Sequence, residues 1–295
     1  MTTDSSISEK PPFLEIKRPA NQIVRCGHAV TFVGIWMAIG WLFHLDGNSY
    51  LLLGVPLVAA FQIFICKRSL VNLWVRDATC FRLNILGILL GFGIAILPTF
   101  ELSRALASVH WQLHMPEILW LVCCICGAFC SAFSLCQFTK PTWKALWFCL
   151  ATAGVIGYAI MGGGFLTRVL LHKQSVIFTA SQILKGGKSF LLYFPISFIL
   201  EEVAFRGAID SHIHQAGDKH SWLSAIFVSA LWGLWHLPIV GAKGILQLVT
   251  LIILLPCIHI ATGTFLSLSW RRSGNLAVPA MVHALIDAVR NMLLK

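Results

Sequence analysis

The sequence predicts an all-α fold, a polytopic transmembrane helical bundle of about nine spans, and three observations lead there. The 295-residue chain is 57% hydrophobic and only 12% charged, against about 25% charged residues in a soluble globular chain. Apolar runs near 20 residues recur along its length, each long enough to cross a hydrocarbon core of ~30 Å. The basic residues gather in short loops between those runs, as they do in multi-pass proteins. Backbone groups have no water to bond in lipid, so the runs are expected to be helices.

Residues 1–22 form a polar tail rich in Ser, Pro, Lys and Glu, a composition that does not bury a core. The first apolar run is long and lacks a small-residue cleavage site, which points to a retained span rather than a removed signal. The candidate spans are 28–45, 49–66, 83–100, 117–136, 143–162, 188–205, 221–240, 246–269 and 275–293. They divide into an N-terminal transmembrane region, 23–187, of about five spans, and a region 188–295 of about four. No internal repeat or low-complexity segment interrupts them.

Loop charge sets the expected orientation. Lys10, Lys17, Arg18 and Arg25 precede the first span, and Lys67, Arg68, Arg76 and Arg82 follow the second. Lys140, Lys144, Arg271 and Arg272 occupy loops of the same parity, whereas the loop at 44–49, HLDGNS, carries none. The N-terminus is therefore expected in the cytoplasm. The outside segment 163–188 departs from this pattern with Arg168, Lys173, Lys185 and Lys188. Its stretch FLTRVLLHKQSVIFTASQIL is amphipathic, so it either lies in the interface, re-enters the membrane or hides a miscounted span.

The net charge of +10 would suggest nucleic acid in a soluble protein. In loops between spans it is a topology signal and a contact for anionic lipid, and no nucleic-acid partner is expected. Of the ten cysteines, Cys123, Cys124, Cys126 and Cys130 share one apolar run without zinc-ribbon spacing. Buried thiols of this kind act as small hydrophobes, and no disulfide framework is expected.

The segment 190–207, FLLYFPISFILEEVAFRG, sets Glu201 beside Glu202 with Arg206 four residues on. A single charge at a membrane-helix centre costs roughly 2.5–3.5 kcal/mol on insertion scales. Such a pair persists only where partners or chemistry offset that cost. Glu202 and Arg206 share an α-helical face and can pair, while Glu201 is turned about 100° away. Two further spans repeat the spacing, with Trp232 and His236 on one, and His283 and Asp287 on the other. A carboxylate with two imidazoles can activate water and stabilise an oxyanion. Each dyad also has a structural reading: Glu202–Arg206 as an ion pair, His283–Asp287 as a packing hydrogen bond. His44 and His259 are expected to act only as hydrogen-bonding glue. The three dyads together suggest one shared cavity.

At these residues the chain resembles the CPBP family of intramembrane proteases, also called the CAAX protease and bacteriocin-processing (Abi) family. The family pattern is EExxxR on one helix, FxxxH on a second and HxxxN or HxxxD on a third. Glu201-Glu202-Val203-Ala204-Phe205-Arg206 matches the first. Trp232 to His236 keeps the second with Trp in place of Phe, and His283 to Asp287 matches the third. The resemblance covers about 188–293 and implies a four-helix catalytic core around a water-filled cavity. It implies that Glu201 polarises a water with help from His236, that His283 and Asp287 meet the oxyanion, and that Glu202, Arg206 and Trp232 support them. Asp287 can donate to an oxyanion only when protonated, a condition Asn would not impose.

The resemblance implies an intramembrane endopeptidase acting near the C-terminus of a membrane-anchored or lipid-modified peptide or protein. No cofactor is favoured; the alternative is zinc on Glu201, His236 and His283 with a water in the open position. No HExxH occurs in the chain. The wording EEVAFRG is closer to the bacterial branch, which implies a multi-pass protein of a bacterial inner membrane. The competing readings are a non-catalytic immunity or scaffold protein of the same fold, and a proton-coupled carrier. Against the carrier stand the lack of an inverted repeat and the confinement of the dyads to the C-terminal half.

Overall fold

A computed structural model describes residues 21–76, 83–107, 115–172, 179–215, 218 and 221–294. The tail expected over 1–22 lies outside these residues except for its last two, as do Arg82 and Lys173. Among the described residues there is no strand, only an isolated antiparallel bridge between Val75 and Asn275.

Asn21 caps α1 (Gln22–Leu42) by accepting from the Ile23 amide. Asp46 caps α2 (Gly47–Ala60), accepting from the Asn48 and Ser49 amides. The amide and hydroxyl of Ser49 hold the Asp46 carboxyl below its usual range. A π-helical turn, Phe61–Ile65, extends α2, and a short 3-10 turn, Leu70–Leu73, follows. Helices α3 (Ile85–Ala107) and α4 (Met115–Leu135) pack on each other and against the later bundle. A long rod then runs through α5 (Lys140–Cys149), a π turn (Leu150–Gly154) and α6 (Val155–His172).

The C-terminal region begins with α7 (Ala180–Ser197), which passes into a π-helical stretch, Phe198–Asp210, and the short α8 (Ser211–Ile213). It continues with α9 (Ser221–Trp235), α10 (Leu237–Val240), α11 (Ile245–Ser273) and α12 (Ala277–Leu294). Gly274, in the left-handed region at φ 62°, closes α11, where a side chain would be strained.

Among the described residues, seven segments are long and apolar enough to cross a membrane: Gln22–Leu42, Gly47–Ile65, Ile118–Leu135, Lys140–Leu171, Ala180–Ile213, Ser221–Val240 and Ile245–Ser273. The protein is a multi-pass helical bundle. The other two expected spans fall on α3, whose apolar part is the shorter Ile85–Phe100, and on α12. The segment 163–188, expected as an outside loop or interfacial piece, is mostly helix. Its first part continues α6, and a capping box of Thr179 with Gln182 starts α7 well before the expected residue 188. Arg168 thus lies in the last turns of α6, and Lys185 and Lys188 lie in the first half of α7.

Close approach of backbones sets the bundle. A Cβ on Gly233 would lie 2.6 Å from the Leu255 carbonyl oxygen and from Pro256 Cα, so α9 and α11 touch through bare backbone. Gly207 allows the same approach to the Leu73 carbonyl. The first two helices join this core through an aromatic brace. Trp36 Nε1 donates to the Tyr50 carbonyl (3.0 Å), and the Tyr50 hydroxyl donates to the Trp235 carbonyl (3.0 Å). The Trp36 and Trp235 rings meet edge to face at 5.0 Å. At the other end of α9, Arg25 pairs with Asp218 (2.7 Å), and Arg271 grips Asp210 with two nitrogens (2.9 and 2.6 Å).

Enlarging Gly233 tests the α9–α11 contact. Gly233→Val should destabilise the purified protein by about 1–3 kcal/mol, the cost of overpacking, seen as a lowered melting temperature in detergent. An unchanged melting temperature would refute the contact.

Candidate active site

The paired glutamates sit in a π-helical stretch, not in the α-helix expected from their spacing. Hydrogen bonding from i to i+5 widens the turn, and such segments recur at functional sites. Glu202 and Arg206 still meet. Arg206 Nη1 donates to Glu202 Oε1 at 3.1 Å, with both side chains 0% exposed. His283 Nδ1 donates to the same oxygen at 2.8 Å. Arg206 Nη2 also donates to the Gly263 carbonyl (3.5 Å), and its guanidinium lies 4.1 Å from the centre of the Trp232 ring. Four chain segments therefore converge on one buried ion cluster.

Glu201 faces elsewhere. Its Oε2 accepts from Trp232 Nε1 (3.0 Å) and lies 3.7 Å from His236 Nε2. The side chains of Glu201 and His236 are 17% and 20% exposed, so both are open where Glu202 is sealed. His236 lies just beyond the end of α9, beside the Leu237-Pro238 step that stops the helix. Its Nδ1 donates to the Trp232 carbonyl (2.8 Å). A carbonyl can only accept, so Nδ1 carries the proton and, in the neutral ring, Nε2 presents a lone pair toward Glu201.

The third dyad closes the site. His283 Nε2 lies 3.7 Å from Asp287 Oδ2, and Asp287 Oδ1 lies 2.9 Å from Arg290 Nη1. Trp232 links the dyads: it donates to Glu201, covers Arg206, and its ring centre is 5.0 Å from that of His283. The structure thus brings Glu201, Glu202, Arg206, Trp232, His236, His283 and Asp287 into one connected cluster.

Two neighbours were not placed at the site from the sequence: His259 was expected only as hydrogen-bonding glue, and Arg290 was not singled out. The His259 ring sits 4.4 Å from that of His236 and 4.5 Å from that of Trp232, with Nδ1 donating to the Leu255 carbonyl (2.7 Å). No charged residue at helical spacing marked it. Arg290 did carry a signal, three residues after Asp287 on the same helical face. As for zinc, His283 Nδ1 is bound to Glu202. Among the described residues, no group of three His, Cys, Asp or Glu side chains is arranged to hold a metal ion. Cys123, Cys124, Cys126 and Cys130 on α4 are unpaired thiols.

Residues 187–289 match the family model described as type II CAAX prenyl endopeptidase Rce1-like. The match spans all three motifs and agrees with the resemblance drawn from them. Over this region the chain is similar to the CPBP, or CAAX protease, family. That family supports an intramembrane protease as the class of activity. No curated protein and no solved structure matches the chain.

Removing one partner from the sealed cluster strands a buried charge. Arg206→Met should destabilise the protein by about 3–5 kcal/mol, whereas Glu201→Gln, at an open position, should leave the melting temperature near wild type. Equal melting temperatures for Arg206→Met and wild type would remove the ion cluster from its structural role.

Proposed function

We propose that this protein is an endopeptidase of a bacterial inner membrane with its N-terminus in the cytoplasm. It hydrolyses a peptide bond near the C-terminus of a membrane-anchored or lipid-modified peptide or protein. The observation that carries the reading is the pair formed by Glu201 Oε2 and His236 Nε2, 3.7 Å apart. With the His236 ring neutral both are acceptors, so neither can satisfy the other. A water donating one hydrogen to each would bridge them, with its lone pairs turned outward.

The water oxygen attacks the scissile carbonyl carbon as its proton passes to Glu201. Trp232 Nε1 holds the carboxylate in place through that step. His283 keeps Nδ1 on Glu202, so only Nε2 remains to face the substrate. In the doubly protonated ring, Nε2–H donates to the oxyanion, and Asp287 supports that form from 3.7 Å. When the carbon–nitrogen bond breaks, the proton on Glu201 moves to the leaving amine. The products are a new carboxyl terminus and a short peptide amine, and water is the only reactant consumed. No metal enters these steps.

Purified protein incubated with prenylated C-terminal peptides tests the mechanism. Glu201→Ala and His236→Ala should each lower kcat by about 10²–10⁴-fold. Cleavage by Glu201→Ala at the wild-type rate would end the mechanism as stated. Trp232→Phe keeps the ring found in the family pattern but loses the N–H. It should lower kcat roughly 10- to 100-fold, the worth of a hydrogen bond to a charged group, with KM little changed. Wild-type kcat in Trp232→Phe would show that the indole N–H has no part in positioning Glu201.

A further inference from the structure

His259 lies against the site, and the hydrolytic steps do not use it. Its ring centre is 4.4 Å from that of His236 and 4.5 Å from that of Trp232. Backbone contact brings it there. The residues of α11 that meet Gly233 of α9 are Leu255 and Pro256, about one helical turn before His259. A histidine within a span is more often glue between helices. This one places its Nδ1 on the Leu255 carbonyl of its own helix, at 2.7 Å. The bond aims the ring rather than joining two helices.

That carbonyl can only accept, so Nδ1 carries the proton and Nε2 of the neutral ring is an acceptor. His236 is set the same way, with Nδ1 on the Trp232 carbonyl. Charge in the cluster balances without either ring. Glu201, Glu202 and Asp287 stand against Arg206, Arg290 and a doubly protonated His283, which leaves His236 and His259 neutral. Access separates the groups further. Glu201, His236 and His259 are all partly open, whereas Glu202 and Arg206 are sealed.

Donors and acceptors at the open part of the site then leave one place to fill. Glu201 Oε2, His236 Nε2 and His259 Nε2 accept, and the attacking water has hydrogens for the first two. A peptide bond brings a donor of its own, the N–H of the bond to be cut. We infer that His259 Nε2 accepts this N–H and so orients the leaving nitrogen. When the carbon–nitrogen bond breaks, the electron pair stays on nitrogen, which is then pyramidal. With its hydrogen held by His259, that pair turns toward the proton on Glu201. The amine departs with both hydrogens, and His259 ends the step as neutral as it began. The site is thereby matched to bonds with a hydrogen on nitrogen, and the bond before a proline has none. The inference rests on the hydrolytic reading of the site.

The test is an ester scan of a fluorescent prenylated peptide. Each backbone amide near the C-terminus is replaced in turn by an ester, which lacks the N–H, and mass spectrometry locates the bond that wild type cuts. On the all-amide peptide, His259→Leu should lower kcat/KM roughly 5- to 100-fold, the cost of a buried donor left unpaired. On the peptide with the ester at the scissile bond, His259→Leu and wild type should agree within about 2-fold. Each peptide is compared with itself, so the greater reactivity of the ester cancels. His259→Gln, whose side-chain carbonyl accepts, should recover part of the amide rate. If His259→Leu does not fold, His259→Phe, which keeps a ring against Trp232, makes the same comparison. Anisotropy on the Glu201→Gln background, with and without His259→Leu, reads the contact without turnover. The all-amide peptide should bind roughly 2- to 10-fold tighter than one ester of the scan, and only while His259 is present. An equal loss on amide and ester would assign His259 to packing against His236 and overturn the contact, as would a wild-type rate on the amide. A His259-dependent preference for the amide in binding, with no hydrolysis by wild type, would overturn the protease and leave the contact standing. Failure of the peptides to bind, or no ester position that responds to His259, would overturn the contact.

Discussion

The Glu202 carboxylate is the point on which the C-terminal bundle turns. Its Oε1 receives Arg206 from the same π stretch and His283 from α12, and none of its side chain reaches solvent. Burying charge is expensive, and a pair so buried is kept only with good geometry and further bonds. Arg206 supplies those by reaching the Gly263 carbonyl on α11 and lying over Trp232 of α9. One carboxylate therefore fixes the mutual placement of α9, α11, α12 and its own segment. Glu201 inherits a defined position because its neighbour cannot move.

The wide turn of the π stretch gives the adjacent glutamates different surroundings. One enters a sealed ion cluster, and the other meets Trp232 Nε1 and a partly open histidine. The tryptophan explains how this chain departs from the family pattern without losing its logic. A phenylalanine at that position would offer only a ring. The indole offers a face to Arg206 and a donor to Glu201, so a single side chain connects the structural charge to the reactive one.

Much of this was legible in the sequence because lipid makes polarity expensive. Glu201, Glu202, Arg206, His236, His283 and Asp287 stand out against apolar runs, and spacings of four place each dyad on a face before any coordinates are known. The π stretch was not legible, since spacings of four fit an α-helix as well. Nor was the place of His259 beside His236 and Trp232, since both lie on a neighbouring segment rather than on its own helix. The reach of α6 and α7 was missed because basic residues in 163–188 look like loop, although Thr179 and Gln182 write a cap in the middle of it. The contribution of α1 and α2 was hidden for a similar reason: Trp36 and Tyr50 read as ordinary span residues until Trp235 is beside them.

That aromatic brace means the part that matches the protease family is not the part that holds together alone. The matched region, 187–289, contains Trp235 but neither Trp36 nor Tyr50. Cut out at those limits, α9 would keep Phe205 against its Trp235 indole but lose the Trp36 and Tyr50 rings, and its carbonyl one residue from His236 would lose the Tyr50 hydroxyl. Inheritance of chemistry and autonomy of folding therefore have different borders in this chain, and the two opening helices fall on the folding side of the line.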